Sequence, residues 1–407
     1  MSEARSRQIV IAGAGIAGLT TALSFAVRGY PVRIFERAQK LEESGAGIQL
    51  SPNATRILDR LGVLSALRLT AVRPTAVILR DAASLAELGR VPLGAAAEAR
   101  WRAPYLTLRR SDLQSALLAH VAREPGIELV TGAQVKGASL HAHGVTASVE
   151  TAGATMRAGG LLLVGADGVW SGLRGLNGSK GKSSFAGELA WRRTISADSP
   201  AAQELIKIGT AGAVTAFMHP GFHLVTYPVR GGSALNLVAL TSGSSIAETW
   251  AGRMDTEPLK RAMRRTAPAL RQLAEDADAW TVWPIHTVAA AEPWIATGGI
   301  ALVGDAAHAM TPYAAQGAAM AIEDGETLAV QVVGRHGTLG AALTTWEKQR
   351  RARIAKVVRR GAANHRAWHA SGVVARMRNL YLRVHSPERL AARFDWLYGW
   401  EPPSLKV

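Results

Sequence analysis

The chain has 407 residues, of which 48% are hydrophobic, and it can therefore hold a large α/β domain with a second domain inserted into it. It contains no cysteine, which excludes a disulfide framework, a thiolate metal site, a cysteine nucleophile and a redox-active disulfide. The formal net charge of +16 permits nucleic-acid binding, but the basic residues are spread along the chain, and we expect an Arg-rich surface that attracts anionic cofactors and acids.

The first predicted unit covers residues 9–37 and consists of a strand, a turn, a helix and a second strand. Its turn has the spacing Gly-x-Gly-x-x-Gly at Gly13, Gly15 and Gly18, which lets the backbone approach a pyrophosphate at the N-terminus of a helix. The second strand delivers Glu36 roughly twenty residues later, where a carboxylate can accept hydrogen bonds from a ribose diol. The unit therefore predicts a dinucleotide site.

The same stretch has a second interpretation. Residues 9–27 carry no charge and follow Arg5 and Arg7, a pattern that is also typical of a signal peptide or a membrane anchor. Three glycines and several hydroxyl side chains interrupt the run, and a chain without cysteine does not exploit an oxidising compartment. We therefore expect a cytoplasmic protein that does not associate with a membrane.

Later patterns predict further elements in chain order. They are a glycine-rich loop leading into a helix over residues 45–64, strands and loops over 72–108, a helix opening at Arg110 with Ser111 and Asp112 as cap residues, short strands near 127–130 and 145–149, a buried strand within 161–174 that ends in Asp167 and Gly168, a strand-rich region over 178–284 with one charged helix over 256–276, a strand over 299–303 that ends in Gly304 and Asp305, a long helix from near Ala315, and a basic helical tail over 342–398.

Three separated motifs coincide with those of one family. They are GAGIAG with Glu36, GADG at 165–168, and GDAAHAMTPYAAQGAAMAIED at 304–324. Together they resemble the FAD-dependent aromatic hydroxylases, the single-component group A flavoprotein monooxygenases, and in particular the members similar to salicylate hydroxylase and to 3-hydroxybenzoate 6-hydroxylase. The resemblance covers nearly the whole chain and is specific for the class, but not for the substrate.

The resemblance implies an α/β (α+β) fold, with a Rossmann-like FAD-binding domain, an inserted mixed-sheet substrate domain and a C-terminal helical segment. The implied bounds are 1–75, 100–177 and 285–341 for the FAD-binding domain, 76–99 and 178–284 for the substrate domain, and 342–407 for the helical segment. The implied cofactor is tightly bound, non-covalent FAD, and NAD(P)H is a transient co-substrate, which fits the absence of a second Gly-x-Gly-x-x-Gly.

Cofactor-binding residues are carried over from the family's motifs. Asp305 matches the residue that binds a ribityl hydroxyl, and the helix start at Gly317 and Ala318 offers N–H groups and a positive dipole end to the flavin. Arg110 matches an arginine that reaches the FAD phosphates or the ribityl chain, although a solvated arginine at a helix start is the plain alternative. The complete implied set is Gly13, Gly15, Ala17, Gly18, Glu36, Arg37, Gly47, Gln49, Arg110, Val135, Asp167, Gly168, Asp305, Gly317 and Ala318.

Four residues are implied in the chemistry: His223, Tyr227, Gln316 and Pro312. In a strand, His223 and Tyr227 share a face roughly 13 Å apart and can address opposite ends of a bound ring. The resemblance makes His223 the base for a phenol, suited by a pKa near neutrality, while a histidine satisfied within a sheet is the alternative. The implied cycle reduces FAD with NAD(P)H, adds O2 to give a C4a-hydroperoxide, and transfers its distal oxygen to the phenolate in a pocket closed to water.

Other function classes remain open at this point. A non-oxygenating NAD(P)-dependent or flavin oxidoreductase can use the same fold, and a binding protein can use the basic surface for nucleic acid. No spacing predicts a metal site. We expect a small aromatic substrate and O2 as partners, no nucleic acid, and a monomer or homodimer. The sequence does not choose between NADH and NADPH, nor among aromatic acids, and leaves open whether a carboxyl group is lost.

Overall fold

A computed structural model describes residues 7–41, 46–179, 181–244, 255–275 and 280–402. Gly45, at the start of the predicted glycine-rich loop, and residue 276, at the predicted end of the charged helix, lie outside this description. The strands, in chain order, are β1 (Ile9–Ala12), β2 (Val32–Glu36), β3 (Gly47–Leu50), β4 (Ala76–Asp81), β5 (Glu87–Pro92), β6 (Leu106–Arg109), β7 (Ile127–Thr131), β8 (Ala133–His141), β9 (Gly144–Thr151), β10 (Ala154–Gly160), β11 (Leu162–Gly165), β12 (Ser184–Ser196), β13 (Ala213–His219), β14 (Phe222–Val229), β15 (Ala234–Ser242), β16 (Thr281–Thr287), β17 (Ile295–Ala296) and β18 (Ile300–Leu302).

The helices surround and connect these strands. In chain order they are α1 (Ile16–Ala26), α2 (Pro52–Arg60), α3 (Ala95–Trp101), α4 (Arg110–Val121), α5 (Pro200–Lys207), α6 (Glu257–Met263), α7 (Pro268–Glu275), α8 (Asp305–His308), α9 (Gly317–Val333), α10 (Leu339–Trp368), α11 (Gly372–Val384), α12 (Pro387–Ala392) and α13 (Asp395–Tyr398).

A six-stranded sheet in the order β17-β18-β11-β1-β2-β7 forms the first layer. Its strands pair in parallel except for β17, and every residue of β1, β11 and β18 is buried. Apolar runs buried on both faces are typical of parallel sheets covered by helices. The predicted strand, turn, helix and strand unit is confirmed as β1, α1 and β2, and the fold is α/β, as expected.

A seven-stranded mixed sheet in the order β16-β12-β15-β14-β13-β4-β5 forms the second large layer. Its pairs are antiparallel except for β13 with β4. Alternate residues of β14 face opposite ways: Phe222 and Leu224 pack in an apolar core shared with α5, α6 and α7, whereas Tyr227 packs in the core of the six-stranded sheet. One face of the sheet is therefore turned towards the six-stranded layer.

Two smaller sheets complete the fold, β10-β9-β8 and β3-β6. The sequence patterns for short strands near 127–130 and 145–149 correspond to β7 and β9, while β8 and β10 were not predicted. β16 runs from Thr281 to Thr287 and so crosses the predicted domain boundary at 284.

Two predictions of secondary structure were wrong in detail. The charged segment expected as one helix over 256–276 forms two helices, α6 and α7, and Pro268 begins the second of them. Proline lacks the N–H that a continuous helix needs at that point, which explains the break. The region 72–108 contains the helix α3 besides its strands, because its Ala-rich sequence AAAEARW has high helix propensity.

Helices α1 and α9 meet at a contact that only a glycine permits. A Cβ atom added to Gly325 of α9 would lie 2.6 Å from Thr21 Oγ1 and 2.9 Å from the backbone nitrogen of Thr21. These distances are shorter than any normal contact of a Cβ atom, so the two backbones have room for hydrogen only.

The substitution Gly325→Val should lower the free energy of unfolding by about 1–3 kcal/mol, because the added atoms overpack the α1–α9 contact. Gly337→Val is the matched control, since a Cβ atom there has no neighbour within 4 Å, and it should change stability by no more than about 0.5 kcal/mol. Urea unfolding of both variants measures the difference. Equal stability of the two would contradict the proposed close approach.

Candidate functional site

The glycine loop between β1 and α1 packs against the loop that follows β11. A Cβ atom on Gly13, whose φ is +105°, would lie 2.5 Å from the Ala166 carbonyl oxygen, and one on Gly18 would lie 1.9 Å from the Gly13 carbonyl oxygen. Gly15 caps α1 and has nothing within 4 Å of the position of its missing Cβ. Two glycines therefore permit tight packing, and the third leaves open space beside the helix N-terminus.

Glu36 lies at the end of β2 and holds this loop in place. Its carboxylate accepts hydrogen bonds from the backbone nitrogens of Ala14 (2.7 Å) and Ala38 (2.9 Å). A carboxylate has about four lone-pair positions, so each oxygen can still accept a bond from a ligand hydroxyl. Arg37, the next residue, is exposed. The predicted Glu36 is thus beside the glycine loop.

Asp167 and Gly168 form the second predicted loop, directly after β11. Asp167 Oδ2 accepts hydrogen bonds from the backbone nitrogens of Gly172 (2.9 Å) and Leu173 (3.3 Å). The other oxygen, Oδ1, is buried and has no hydrogen-bond partner among the described residues. A buried acceptor is costly without a donor, so this atom is suited to a ligand's hydrogen-bond donor.

The third predicted loop follows β18 and reaches the first through Gly304. A Cβ atom on Gly304, whose φ is +60°, would lie 3.0 Å from Ala17 Cβ. Asp305 begins α8 and is exposed, and the turn Pro312–Ala314 follows, in which the Pro312 carbonyl accepts a hydrogen bond from Ala315 N. Parallel strands thus bring loops from three distant parts of the chain to one edge of the sheet.

Helix α9 begins at Gly317, directly after Gln316. The first N–H groups of a helix have no partner within it and carry a positive partial charge, which favours an anion at Gly317 and Ala318. The Gln316 side chain is turned inwards: its Nε2 donates to Ser51 Oγ at 2.9 Å, and its Oε1 accepts from Asn53 Nδ2 at 3.3 Å. Its amide therefore has partners within the protein.

Strand β3 connects the glycine-loop side to the seven-stranded sheet. Gly47 N donates to Asn236 Oδ1 at 2.8 Å, and a Cβ atom on Gly47 would lie 2.7 Å from Tyr227 Cε2. Gln49 accepts a hydrogen bond from Tyr105 OH at 2.7 Å. Gly47 and Gln49 thus lie between the two sheets, with Tyr227 directly opposite them.

Val135 is the one predicted cofactor residue on the three-stranded sheet. It is 8% exposed and lies on β8, next to a register shift between Val135 and Gly137. Such a shift leaves backbone groups of the strand unpaired.

A cavity of about 170 Å³ lies where the third loop faces the seven-stranded sheet. Its walls include three predicted residues, Arg110, Asp305 and Pro312, and two residues that sequence analysis missed, Arg192 and Trp283. His223, Tyr227 and Gln316 are not among its lining residues. The structure therefore brings Arg110, Asp305 and Pro312 together at the cavity.

Arg192 carries a charge into this cavity. Its guanidinium lies 5.2 Å from the centre of the Trp283 ring. Burial lowers the pKa of Arg192, and Arg110 lowers it further, while Tyr227 acts in the opposite direction. The charged neighbour of Arg192 is thus Arg110. Two positive charges close together favour an anionic ligand between or beside them.

The register of the seven-stranded sheet relates Arg192 to the predicted His223 and Tyr227. Arg192 is opposite Val238, and Val238 is opposite Val225, so the three share one face. Val225 lies between His223 and Tyr227 on β14, two residues from each. The three positions Arg192, Val225 and Val238 keep partial exposure within this inward face. Strand spacing places the Cα atoms of Arg192 and His223 about 12 Å apart.

His223 is 2% exposed and belongs to a cluster of aromatic and titratable side chains. Its Nδ1 lies 3.1 Å from His369 Nε2, and its ring packs on Tyr313 and Trp368, with ring centres 5.0 and 4.9 Å away. His365 lies one helical turn before His369, with ring centres 4.6 Å apart. We call His223, His365 and His369 the histidine cluster.

Two members of the histidine cluster are held in their neutral form. Burial lowers the pKa of His223 well below its ordinary value, and His369 and His365 lower it further. Burial, with His365 and His219, lowers the pKa of His369 to about 4. At neutral pH both rings are therefore unprotonated, and the pKa near neutrality that the sequence predicted for His223 is wrong, because burial lowers it.

A buried network of ions lies behind the site. Glu323 and Asp324 of α9 are fully buried; Arg350 of α10 donates to Glu323 Oε2 at 2.6 Å and to Asp324 Oδ1 at 2.7 Å. Arg353 donates to Glu323 Oε1 at 2.8 Å, and His308 Nε2 lies 2.5 Å from Asp324 Oδ2. We call these five residues the buried ion network.

The buried ion network reaches the loop after β18 and the start of helix α2. Asp324 Oδ2 accepts a hydrogen bond from Gly304 N at 2.8 Å, and Glu323 Oε1 accepts one from Asn53 Nδ2 at 2.7 Å. Burial alone would raise the pKa of Asp324, but His308 and Arg350 lower it below its ordinary value. The network thus holds Gly304, which precedes Asp305, and Asn53, which is bonded to Gln316.

Comparison with known proteins identifies the family. Residues 6–361 match the family model described as FAD binding domain. The chain is 32% identical over 395 residues to 3-hydroxybenzoate 6-hydroxylase of Polaromonas naphthalenivorans (strain CJ2), covering 96% of each chain. The chain belongs to the FAD-dependent aromatic hydroxylases. Like this family, it uses FAD with NAD(P)H as co-substrate, and it acts on a small aromatic molecule with O2.

Two further similarities fit this family of hydroxylases. The chain is 34% identical over 397 residues to 3-amino-4-hydroxybenzoate 2-monooxygenase of Streptomyces platensis, which covers 97% of this chain and 96% of the relative. A solved salicylate hydroxylase in complex with its substrate superposes with a TM-score of 0.78 at 22% identity, covering 97% of this chain and 95% of that one. The second similarity supports the fold.

The described residues fit FAD as a bound group. Open space at Gly15 beside a helix N-terminus suits a pyrophosphate, and the unpaired Asp167 Oδ1 and the exposed Asp305 carboxylate offer acceptors for hydroxyl groups. In the described ranges, no group of His, Asp or Glu side chains is arranged to hold a metal ion. Nor does any helix in these ranges combine the length and apolar character needed to cross a membrane.

Replacing Arg350 with methionine should lower the free energy of unfolding by about 3–5 kcal/mol, because Glu323 and Asp324 stay buried with one positive partner fewer. Lys207→Met is the control, since Lys207 and its partner Glu204 are 68% and 49% exposed, and it should cost about 0–1 kcal/mol. Chemical denaturation of both variants measures the costs. A similar, small cost for both would show that Arg353 and His308 neutralise the carboxylates by themselves.

The histidine cluster should make stability depend on pH. An unfolded histidine has a pKa of about 6.5, so between that value and about 4 the unfolded chain binds protons that His369 in the folded protein does not. Stability is therefore complete above this window and falls as the pH drops through it. His369→Gln should lose less unfolding free energy than the wild type between about pH 6.5 and about pH 4.5. Urea titrations at several pH values test this, and curves of equal slope would contradict it.

Proposed function

We propose that this protein hydroxylates a phenol that carries a carboxylate group, and that Arg192 binds the carboxylate. The observation that carries this proposal is the Arg192 guanidinium, which lines the cavity beside Trp283 with Arg110 as its charged neighbour. An arginine binds a carboxylate through two parallel hydrogen bonds, and a flat aromatic ring such as Trp283 packs well against another ring. The named substrates of the two relatives, hydroxybenzoates, have this chemistry.

The sheet face offers a place for the ring of such a substrate. Val225 and Val238 are partly exposed apolar side chains between Arg192 and His223. The roughly 12 Å between the Arg192 and His223 Cα atoms suits a benzoate with its carboxylate at one end and its hydroxyl at the other. The ring would lie over the two valines, which exclude water from the reacting carbon.

His223 is proposed as the base at the phenolic end. Its neutral imidazole can take the phenolic proton, which raises the electron density of the ring and so favours attack on an electrophilic oxygen. Burial raises the pKa of Tyr227, and this tyrosine therefore stays protonated as a hydrogen-bond donor at the opposite side of Val225. Bound FAD would supply the transfer of electrons from NAD(P)H and the activation of O2.

The flavin side is assigned to the three loops at the edge of the six-stranded sheet. We assign the glycine loop, Glu36 and Arg37 to the ADP half, and Asp167 and Asp305 to hydroxyl groups of the cofactor. The start of α9 would stabilise negative charge on the bound flavin, and Pro312, on the cavity wall, would contact it. Because the Gln316 amide is bonded to Ser51 and Asn53, its role is to position that helix start.

The division into domains follows from this assignment. We infer that residues 1–75, 100–177 and 285–341 form the FAD-binding domain, that 76–99 and 178–284 form the substrate domain, and that 342–407 form the C-terminal helical segment, which the structure describes as far as residue 402. The seven-stranded sheet draws β4, β5 and β12 to β16 almost entirely from the proposed substrate domain, with the end of β16 as the exception. A monomer or homodimer in the cytoplasm, where NAD(P)H is regenerated, is the proposed state.

A panel of aromatic acids and their amides tests the proposal in the flavin-loaded protein. A hydroxybenzoate should stimulate oxidation of NADH or NADPH and give a product heavier by one oxygen atom, while its amide should bind more weakly. Arg192→Gln should raise KM for the acid about ten- to a hundredfold, the worth of a hydrogen bond to a charged group, and leave KM for the amide nearly unchanged.

The neighbouring Arg193 provides the matched control for this experiment. Arg193 follows Arg192 on β12 and donates to the Leu273 carbonyl at 3.3 Å, on the side of the α7 helix. Arg193→Gln should leave the preference for acid over amide unchanged. An Arg192→Gln enzyme that keeps the full preference would show that the carboxylate binds elsewhere. Flavin absorbance without any product would instead favour a non-oxygenating oxidoreductase.

A further inference from the structure

His223 meets a second histidine that comes from a different part of the fold. His223 lies on β14, and His369 is the residue that ends the 30-residue helix α10. The distance of 3.1 Å between His223 Nδ1 and His369 Nε2 is that of a hydrogen bond between the two rings. One nitrogen of each imidazole is therefore committed to the other.

This hydrogen bond decides which nitrogen of His223 can act as a base. A neutral imidazole carries one N–H, and its two nitrogens are then one donor and one acceptor. If His223 Nδ1 donates to His369 Nε2, His223 Nε2 is bare and can accept a proton from a phenol. With the opposite orientation, His223 Nε2 carries the hydrogen and cannot act as a base.

We propose that His369 is the positioning partner of His223: it holds the tautomer in which His223 Nε2 is a base, and it passes the phenolic proton on towards solvent. This proposal rests on the proposed function, in which His223 deprotonates the substrate. The phenolic proton moves to His223 Nε2, and the Nδ1 proton of His223 moves to His369 Nε2. His369 then passes its Nδ1 proton to His365, and His365 releases a ring proton to water. The net change is one phenol converted to phenolate and one proton delivered to solvent, with no change in electrons.

Exposure rises along the histidine cluster in the direction that this path needs. His223 is 2% exposed, His369 is half-buried, and the His365 side chain is 44% exposed. The His365 and His369 rings are in contact, and His365 Nε2 lies 3.4 Å from the carboxylate of Glu188. Glu188 also accepts a hydrogen bond from Tyr313 OH. A carboxylate thus stands at the outer end of the cluster, where it stabilises an arriving positive charge.

The end of helix α10 adds to this stabilisation. The last carbonyl groups of a helix carry a negative partial charge, which favours a cation in the last turn. His365 lies in that turn, and His369 follows it. The transient positive charge would therefore be better supported at His369 and His365 than at His223 on the strand.

The groups around the pair keep both rings unprotonated at neutral pH. His219 of β13 and His365 of α10 lower the pKa of His369, after the larger effect of burial, to about 4. The other titratable groups that face the cluster are Glu188 of β12 and Tyr313, and burial raises the pKa of the latter. A proton therefore does not rest on His369 at neutral pH but continues to solvent.

The experiment follows the ionisation of a bound probe in the FAD-loaded protein without NAD(P)H, so no turnover is involved. The probe is 3-hydroxy-4-nitrobenzoate, whose phenolate is coloured. A stopped-flow pH jump in weak buffer measures how fast the phenolate forms in the bound state. His369→Gln keeps a hydrogen-bond acceptor for His223 Nδ1 but cannot carry a proton, so phenolate formation should slow on the order of a hundredfold. His369→Ala should be slow as well, and free imidazole in the buffer should restore part of its rate.

His385→Gln is the matched control. His385 Nδ1 is bonded to the Tyr381 carbonyl at 2.8 Å, outside the cluster, and this variant should ionise the probe at the wild-type rate. Flavin absorbance and probe affinity of every variant establish that the site is intact. If a His369 variant loses its flavin, His365→Gln, at the exposed end of the cluster, should still slow phenolate formation in weak buffer, and a wild-type rate there overturns the relay.

The outcomes separate this proposal from the proposed function. Slow ionisation in His223→Gln with a wild-type rate in His369→Gln overturns the role of His369 and keeps His223 as the base. A wild-type rate in His223→Gln contradicts the base assignment itself. Slow ionisation in both, with imidazole rescue of His369→Ala only, supports the proton path through the histidine cluster.

Discussion

The position of the flavin-side loops depends on the neutralisation of two buried carboxylates. Glu323 and Asp324 are adjacent on α9 and fully buried, so each needs positive charge and hydrogen-bond donors at close range. Arg350 and Arg353 supply the charge from α10, and His308 and Gly304 N supply donors from the loop after β18. Because these partners come from both sides of α9, the pairing sets the helix start and the loop together. The ion pairs that make burial of the two acids possible therefore also fix the positions of Gly304 and of the start of α9.

Close approach of backbones is the second constraint on the site. Gly13, Gly18 and Gly304 each stand where a side chain would collide with another loop or helix. The three loops come from residues almost 300 positions apart, yet parallel strands end at one edge of the sheet. The convergence of the three loops therefore results from the sheet topology and from glycines that allow the backbones to approach closely.

The loops could be predicted from sequence because each is a local pattern: a run of apolar residues, a glycine and an acid at a strand end. The position of Arg192 on the inward face could not be predicted, because it depends on the register of β12 with β15, which is not encoded within either strand. His369 was hidden for a similar reason, since it meets His223 across 146 residues. The inward turn of the Gln316 amide depends on Ser51 and Asn53, which a motif comparison does not reveal. Pro268 could have predicted the break between α6 and α7, but the charge pattern around it favoured one continuous helix.

The alternation of side chains along β14 has a consequence for how this enzyme can change over evolutionary time. Phe222 and Leu224 hold the strand to its own helices, while Val225 on the opposite face is turned towards the six-stranded layer, where the proposed substrate ring would lie. Selection for a new aromatic compound can therefore act on one set of positions while the other set preserves folding. Substitutions at the partly exposed valines can therefore change the preferred substrate with little loss of folding stability.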